Sequence, residues 1–417
     1  MLCNIFAITT HSLKNIRVYM NSKCSTLFKL AGIVLGGALL TGCLRAPDEP
    51  LYQTSDSLPA YEQATFEEYV QETKQWLEEN RVFLTNNEQT EIDANTPFEL
   101  KPKDGTTPRK GVLLVHGLGD SPFYFRDIAA ALAEQGFLVR TILLPGHGSR
   151  PGDLILPAFD DWNAVVEHHA ELLAEQVDDV WLGGFSTGGN LVTAYAAKHE
   201  NIEGLLLFSP AFAPKDTLHV MAPVANYFVD WLDIDPHENN YTRYATLATN
   251  GAALYSESVE QVSDLLSAKP YDKPVMIAIS ESDSVLNANE TAELFKTTFT
   301  NPQSQLVWYG NSTVKGDSRI VSLSSSLPEK RISTFSHMSV LFSPANPYYG
   351  EKGTQLVCDN GQSVEAEAQC PTSNALWYSS YDYLVDGKIH ARLTWNPYFE
   401  ELEKTIEDVT TSSTPSS

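Results

Sequence analysis

The sequence predicts an α/β domain, a mostly parallel sheet with helices on both faces, and three observations carry that expectation. Short apolar runs recur without polar alternation: GVLLVH at 111–116, DVWLGG at 179–184, GLLLF at 204–208, PVMIAIS at 274–280 and QLVWY at 305–309. Runs of this kind belong to strands buried on both faces. Helical patterns alternate with them at 122–135, 160–176 and 187–199, and 137–144 adds a further strand. The interval from Pro210 to Pro270 breaks the rhythm; it is helical and aromatic in character, with Tyr227, Phe228, Trp231, Tyr241, Tyr244 and Tyr255, and reads as an insertion between two strands.

The chain has 417 residues, 42% hydrophobic and 19% charged, which is the make-up of a folded protein with a sizeable core. Its 28 Lys and Arg stand against 53 Asp and Glu, a net charge of −25. The first 42 residues hold four of the bases (Lys14, Arg17, Lys23, Lys29) and no acid, so the remainder stands at 24 against 53, or −29. So acidic a surface repels phosphate backbones, and nucleic acid is not an expected partner.

Residues 27–40 read LFKLAGIVLGGALL, and only the 11 residues Leu30 to Leu40 run without a charge. A spanning helix needs about 20 apolar residues, so this is a segment of signal-peptide size. It ends in Leu40-Thr41-Gly42-Cys43, which resembles the lipobox of bacterial lipoproteins, with an acidic, Pro-rich stretch at 46–50 as a tether. The resemblance implies removal of residues 1–42 and attachment of lipid, palmitate included, to Cys43. Leu44, where an Asp would signal retention, implies the outer membrane of a Gram-negative envelope. Met20 would give a signal segment of more usual length than Met1.

Of five cysteines, Cys3 and Cys24 precede the expected cleavage point and Cys43 would carry lipid. Cys358 and Cys370 remain, 12 residues apart in a polar stretch without other metal ligands. In an exported protein such a pair is expected to form a disulfide. The expected organisation is therefore a signal segment at 1–42 and a tether with a helical prefix at 43–100, its helix near 64–79. A main domain follows at 101–345 with the insertion near 210–270, then a C-terminal extension at 346–417.

The sharpest motif is Gly183-Gly184-Phe185-Ser186-Thr187-Gly188-Gly189, a G-x-S-x-G pattern between a predicted strand and a predicted helix. Such a turn strains the serine backbone, and glycines two residues to either side leave room for it. It also presents the Ser186 hydroxyl at a helix amino terminus, where developing negative charge is favoured. A serine becomes a nucleophile only with a base and a group that orients the base. His337, in FSHMS after the last sheet strand, fits the chain order Ser, acid, His; His390 is a later candidate. His116 ends a strand in HGLGD, while His168, His169 and His199 fall in helical patterns with a solvated surface as their expected role. His219 and His237 sit in the insertion, and His11 goes with the signal. For the acid, Asp283 follows the PVMIAIS strand, with Glu281 as the nearby rival and Asp317 a weaker one.

Together LLVHGLGDSPFYFRDIAAAL, LLPGHG at 143–148, GGFSTGG, ESDSVLN and FSHMS resemble the α/β-hydrolase family, in its bacterial carboxylesterase and monoacylglycerol-lipase branch, over residues 110–345. The resemblance implies Ser186 as nucleophile, Asp283 as orienting acid and His337 as base. It implies that His116-Gly117 opens an oxyanion loop, His116 being structural, and that the backbone N–H groups of Leu118 and Thr187 bind the oxyanion. The 210–270 insertion corresponds to the family's cap. Ester hydrolysis through an acyl-enzyme is the implied activity, with a lipid-like or other small ester as substrate, a lipid anchor in the membrane, and no metal or organic cofactor. Acyl transfer and amide or peptide cleavage would use the same groups, and a catalytically silent binding lipoprotein is the alternative outside enzymes. Two segments depart from the family: the Ser-rich stretch at 311–334, and about 80 residues after His337.

Overall fold

The computed structural model describes residues 48–411 apart from Asp233, Pro236 and His237. The signal segment with Cys3, His11, Cys24 and Cys43 lies outside the described residues, as does His237.

Eight strands form one sheet: β1 (Glu99–Leu100), β2 (Lys110–Val115), β3 (Phe137–Ile142), β4 (Asp179–Phe185), β5 (Ile202–Phe208), β6 (Val275–Ser280), β7 (Gln305–Tyr309) and β8 (Ile320–Leu323). Their spatial order is β1-β3-β2-β4-β5-β6-β7-β8. The short β1 runs antiparallel to β3, and the remaining pairs are parallel. Parallel strands need crossovers, and the helices that make them cover both faces. This is the α/β-hydrolase architecture that the sequence implies.

The helices are α1 (Phe66–Asn80), α2 (Glu88–Asn95), α3 (Arg126–Glu134), α4 (Phe159–Ala174), α5 (Thr187–Ala196), α6 (Thr249–Ala268), α7 (Ala288–Thr298), α8 (Val364–Gln369) and α9 (Phe399–Thr411). Leu113 and Val115 of β2 join one apolar layer with α4, α5, α6 and α7, to which α1 adds Phe66 and Tyr69. Val112 and Leu114 point the other way, into a layer with α3 and α9. The two layers follow directly from the two-residue period of a strand.

Three elements differ from expectation. Strand β8 lies inside the Ser-rich segment, where its two central residues are exposed, so no apolar run announces it. The first half of the cap is mostly irregular, holding a short 3-10 turn and the one-turn helix Ala222–Ala225 before α6 begins. His169 is not on a solvated surface: it is fully buried, its ring 4.1 Å from that of Tyr69 and 5.6 Å from that of Phe66. Helix α1 covers that side of α4, and His168 is drawn in as well, bonding Gln63 O at 2.8 Å.

The residues after His337 do not stand apart from the sheet. Strands β9 (Trp377–Ser379) and β10 (His390–Arg392) pair with one another in parallel. Cys358 and Cys370 are joined in a disulfide beside them. Helix α9 then returns to the core, where Leu402, Ile406 and Val409 pack with Val112 and Phe137.

Candidate active site

Strand β4 ends at Phe185 and α5 begins at Thr187, so Ser186 alone makes the turn, with φ 51° and ψ −118°. A non-glycine residue at positive φ is strained and persists only where its surroundings hold it. Here Ser186 N–H donates to Phe208 O at 3.1 Å, and Ser186 O accepts from Gly189 N at 3.0 Å and Ala211 N at 3.1 Å. The flanking glycines are a matter of space. A Cβ on Gly188 would lie 2.0 Å from Val115 O, and one on Gly184 would lie 2.5 Å from the backbone of Gly188. Strand β2, strand β4 and α5 can therefore meet at the serine only without those side chains.

Ser186 lines a cavity of about 400 Å³, and so do His337, Leu118 and Thr187. The structure joins His337 to Asp283: Nδ1 lies 2.7 Å from Asp283 Oδ2. The other carboxylate oxygen, Oδ1, accepts from Val285 N at 2.8 Å and Leu286 N at 3.0 Å, which fixes the direction of the acid. Its rival Glu281 turns away, accepting from the backbone of Asn311 at 2.6 Å and Ser312 at 3.1 Å. Asp317 is paired with Arg319. His390 is buried in β10, with Ser333 Oγ at 3.4 Å. The histidine loop is held by hydroxyls that sequence reasoning did not single out. Ser209 Oγ donates to His337 O at 3.0 Å, Ser280 Oγ to Phe335 O at 2.8 Å, and Ser336 Oγ to Leu393 O at 2.5 Å.

Two buried imidazoles tie the HGLGD and LPGHG loops together. Leu144 N–H donates to His116 Nε2 at 3.1 Å, and Gly119 N–H donates to His147 Nε2 at 2.9 Å. Each ring must then carry its proton on Nδ1, where His116 bonds Gly117 O at 2.8 Å and His147 reaches Leu144 O at 3.2 Å. Burial holds both neutral: it lowers His116 well below the usual histidine range and His147 to about 4. Leu118 N–H sits between these fixed points, and neither it nor Thr187 N–H is engaged in a backbone hydrogen bond among the described residues. His116 is thus a scaffold, as the sequence implied, and LPGHG is its partner.

The rest of the cavity wall comes from the cap, with Pro214, Leu247 and Tyr255, and from Asp120 and two arginines, Arg243 and Arg392. Burial raises the Asp120 carboxyl to about 6, against the pull of Arg243. Asp120 ends the HGLGD motif, but no motif marked the two arginines; Arg392 in particular comes from the extension. Among the described residues, no three His, Cys, Asp or Glu side chains are grouped as a metal site, and no helix is long and apolar enough to cross a membrane.

Residues 106–312 match the family model described as serine aminopeptidase, S33. The chain is 36% identical over 101 residues to a thermostable monoacylglycerol lipase of Bacillus sp. strain H-257, covering 24% of this chain and 40% of that one. It is 32% identical over 120 residues to a carbendazim hydrolyzing esterase of Nocardioides sp. strain SG-4G, covering 27% and 47%. The matched stretches thus span less than half of either curated relative. Among solved structures, the monoacylglycerol lipase of Paleococcus ferrophilus aligns at 20% identity with a TM-score of 0.42, over 52% of this chain and 88% of its own.

Proposed function

Because the chain belongs to the α/β-hydrolase family, in its carboxylesterase and monoacylglycerol-lipase-like branch, we propose that it is a serine hydrolase of carboxylic esters, acting through Ser186, His337 and Asp283. The observation that carries the proposal is the 2.7 Å bond between His337 and Asp283 on the wall of the cavity that Ser186 enters.

With Nδ1–H donated to Asp283, His337 keeps Nε2 free as a base. Ser186 Oγ attacks the ester carbonyl carbon while His337 Nε2 takes its proton, and the carbonyl oxygen becomes an oxyanion. The N–H groups of Leu118 and Thr187 are the donors for that charge; loss of one such donor costs roughly a hundred- to a thousandfold in rate. Collapse breaks the bond to the alcohol, which leaves with the proton from His337. Water then attacks the acyl-enzyme by the same steps, releasing the acid and restoring Ser186. Asp283 stabilises the imidazolium and holds its tautomer.

Acylglycerols or other lipid-like esters are the substrate class we favour. The monoacylglycerol lipase among the relatives supports it, and so do exposed apolar side chains on the cap (Leu218, Val220, Met221, Val224, Tyr227, Phe228) next to His219, which lines the cavity. A lipid anchor at Cys43, in an outer-membrane location, would hold the enzyme at such a surface. Intact mass of membrane-extracted protein tests the anchor, and a Cys43→Ser variant that fractionates like wild type would refute it.

A fluorophosphonate probe, together with p-nitrophenyl esters and monoacylglycerols of graded chain length, tests the chemistry. Labelling is expected at Ser186 alone, absent in Ser186→Ala and His337→Ala and weakened in Asp283→Asn. Ester turnover surviving in Ser186→Ala would overturn the proposal.

A further inference from the structure

Two guanidinium groups enter the cavity that holds Ser186 and His337, one from each of two segments: Arg243 from the cap and Arg392 from β10 of the extension. Neither belongs to an ion pair among the described residues. Arg243 makes one long bond, Nε to Tyr244 O at 3.5 Å. Arg392 is held from behind, by Nη2 to Asp359 O at 2.7 Å and Nε to Asn360 Oδ1 at 3.5 Å, with the Tyr381 ring 5.0 Å from its guanidinium carbon. That leaves both terminal nitrogens of Arg243 and Nη1 of Arg392 with no protein acceptor among the described residues.

None of the acids around them forms an ion pair with either guanidinium among the described residues. Asp120 and Asp216 share that wall; burial opposes the charge of Asp120, and Asp216 is exposed. Glu238 spends its carboxylate on Ala245 N and Thr246 N, at 2.6–3.0 Å, and Asp359 is exposed. Burial and then Arg243 itself lower the Arg392 pKa to about 10, so the two cations repel one another where they stand. Half-buried arginines tend to find an anionic partner, and a fork of planar donors matches an oxyanion in geometry as well as charge. Both arginines also line a second, polar cavity of about 480 Å³ between cap and extension, whose wall includes Asp235, Asp359 and Glu367 as well.

We propose that Arg243 and Arg392 form an oxyanion subsite, so that the preferred esters carry a carboxylate or a phosphate besides the scissile bond. This rests on the ester-hydrolase proposal and names its substrate class.

Matched substrate pairs test it on the purified protein. One pair is p-nitrophenyl butyrate against mono-p-nitrophenyl glutarate, with the anion on the acyl side. The other is 1-decanoylglycerol against its 3-phosphate, with the anion on the alcohol side. Wild type is expected to favour the anionic member of at least one pair in kcat/KM by about tenfold or more, and the pair that responds identifies the source of the anion. Arg243→Gln and Arg392→Gln should each lower that ratio about tenfold; because the ratio is taken within one protein, general loss of activity cancels. In addition, glutarate or inorganic phosphate should slow fluorophosphonate labelling of Ser186 in wild type, a readout that needs neither turnover nor a folded variant. Turnover of the neutral esters with no anionic preference, and labelling unaffected by either anion, would overturn the subsite and leave the hydrolase proposal standing. No turnover of any of the four esters together with no labelling of Ser186 would overturn the hydrolase proposal itself.

Discussion

Gly188→Ala isolates what the close approach at the serine turn contributes. The added Cβ would sit 2.0 Å from Val115 O, and 2.5 Å from His116 O. Both are backbone atoms, so no side chain can swing aside. Reaching even 3.0 Å requires β2 and α5 to part by about 1 Å, a separation that real Cβ contacts observe as a lower bound. Helix α5 starts one residue after Ser186, so Ser186 moves with it, away from His337 and from the Leu118 side of the cavity. A misplacement near 1 Å costs on the order of a hundredfold in rate, and overpacking costs about 1–3 kcal/mol in stability. Gly136→Ala is the control. Its φ of +87° makes alanine strained, yet nothing lies within 4 Å of its Cβ, in the turn between α3 and β3. Strain alone costs about 1–2 kcal/mol. The two variants should therefore melt at similarly lowered temperatures while kcat/KM for a p-nitrophenyl ester falls about a hundredfold in Gly188→Ala and stays near wild type in Gly136→Ala. If Gly188→Ala kept its rate within a factor of about three, or Gly136→Ala lost as much as Gly188→Ala, the packing argument would fail.

The ion pair of Arg81 and Glu91, 2.8 Å apart with side chains 3% and 0% exposed, also binds Arg81 to Tyr241 O of the cap. Arg81→Met should cost about 3–5 kcal/mol in urea denaturation, because it leaves a buried carboxylate without its counter-charge, held only by Leu84 N and Thr85 N. The double variant with Glu91→Gln should cost less than the sum of the singles; strict additivity would refute the coupling. Burial lowers the His169 pKa to about 3, so on acidification the unfolded chain takes up a proton that the folded one refuses. Wild-type stability should then fall as pH drops below about 6.5, a loss complete near pH 3, and the gap in favour of His169→Phe should widen by about 1.4 kcal/mol for each pH unit. A gap independent of pH would count against it. Cys358→Ser opens a 12-residue loop and should cost about 2–3 kcal/mol, seen first as faster hydrogen exchange across β9 and β10; unchanged exchange there would show that the bond is not what orders them.

The nucleophile turn was legible because its requirements are local: two glycines, one serine, a strand before and a helix after. The choice among carboxylates was harder. Glu281 and Asp283 leave the same strand, and their directions are settled by the backbone N–H groups that donate to them, at Asn311 for one and at Val285 and Leu286 for the other. Spacing contains no record of that. His169 was misplaced because the helical pattern of α4 leaves one side polar, while the covering residues Phe66 and Tyr69 lie about 100 positions earlier. The arginine pair was invisible for the same reason, since Arg243 and Arg392 are brought together only by the way the extension folds back. Strand β8 escaped notice because an edge strand with exposed central residues has no apolar run to show.

The seat of the histidine loop has a temporal side. Ser186, Asp283 and His337 are all present once the chain has been made to residue 337. Yet Ser336 bonds Leu393 O, Ser333 N bonds Tyr378 O, and Ser380 N bonds Thr334 Oγ. A polypeptide still being synthesised, or one clipped soon after the loop, holds every reactive group and lacks the clasp that sets the imidazole. Such long-range closures are also the slow ones in folding. The seat of His337 is therefore complete only once residues 378–393 have been made and folded back.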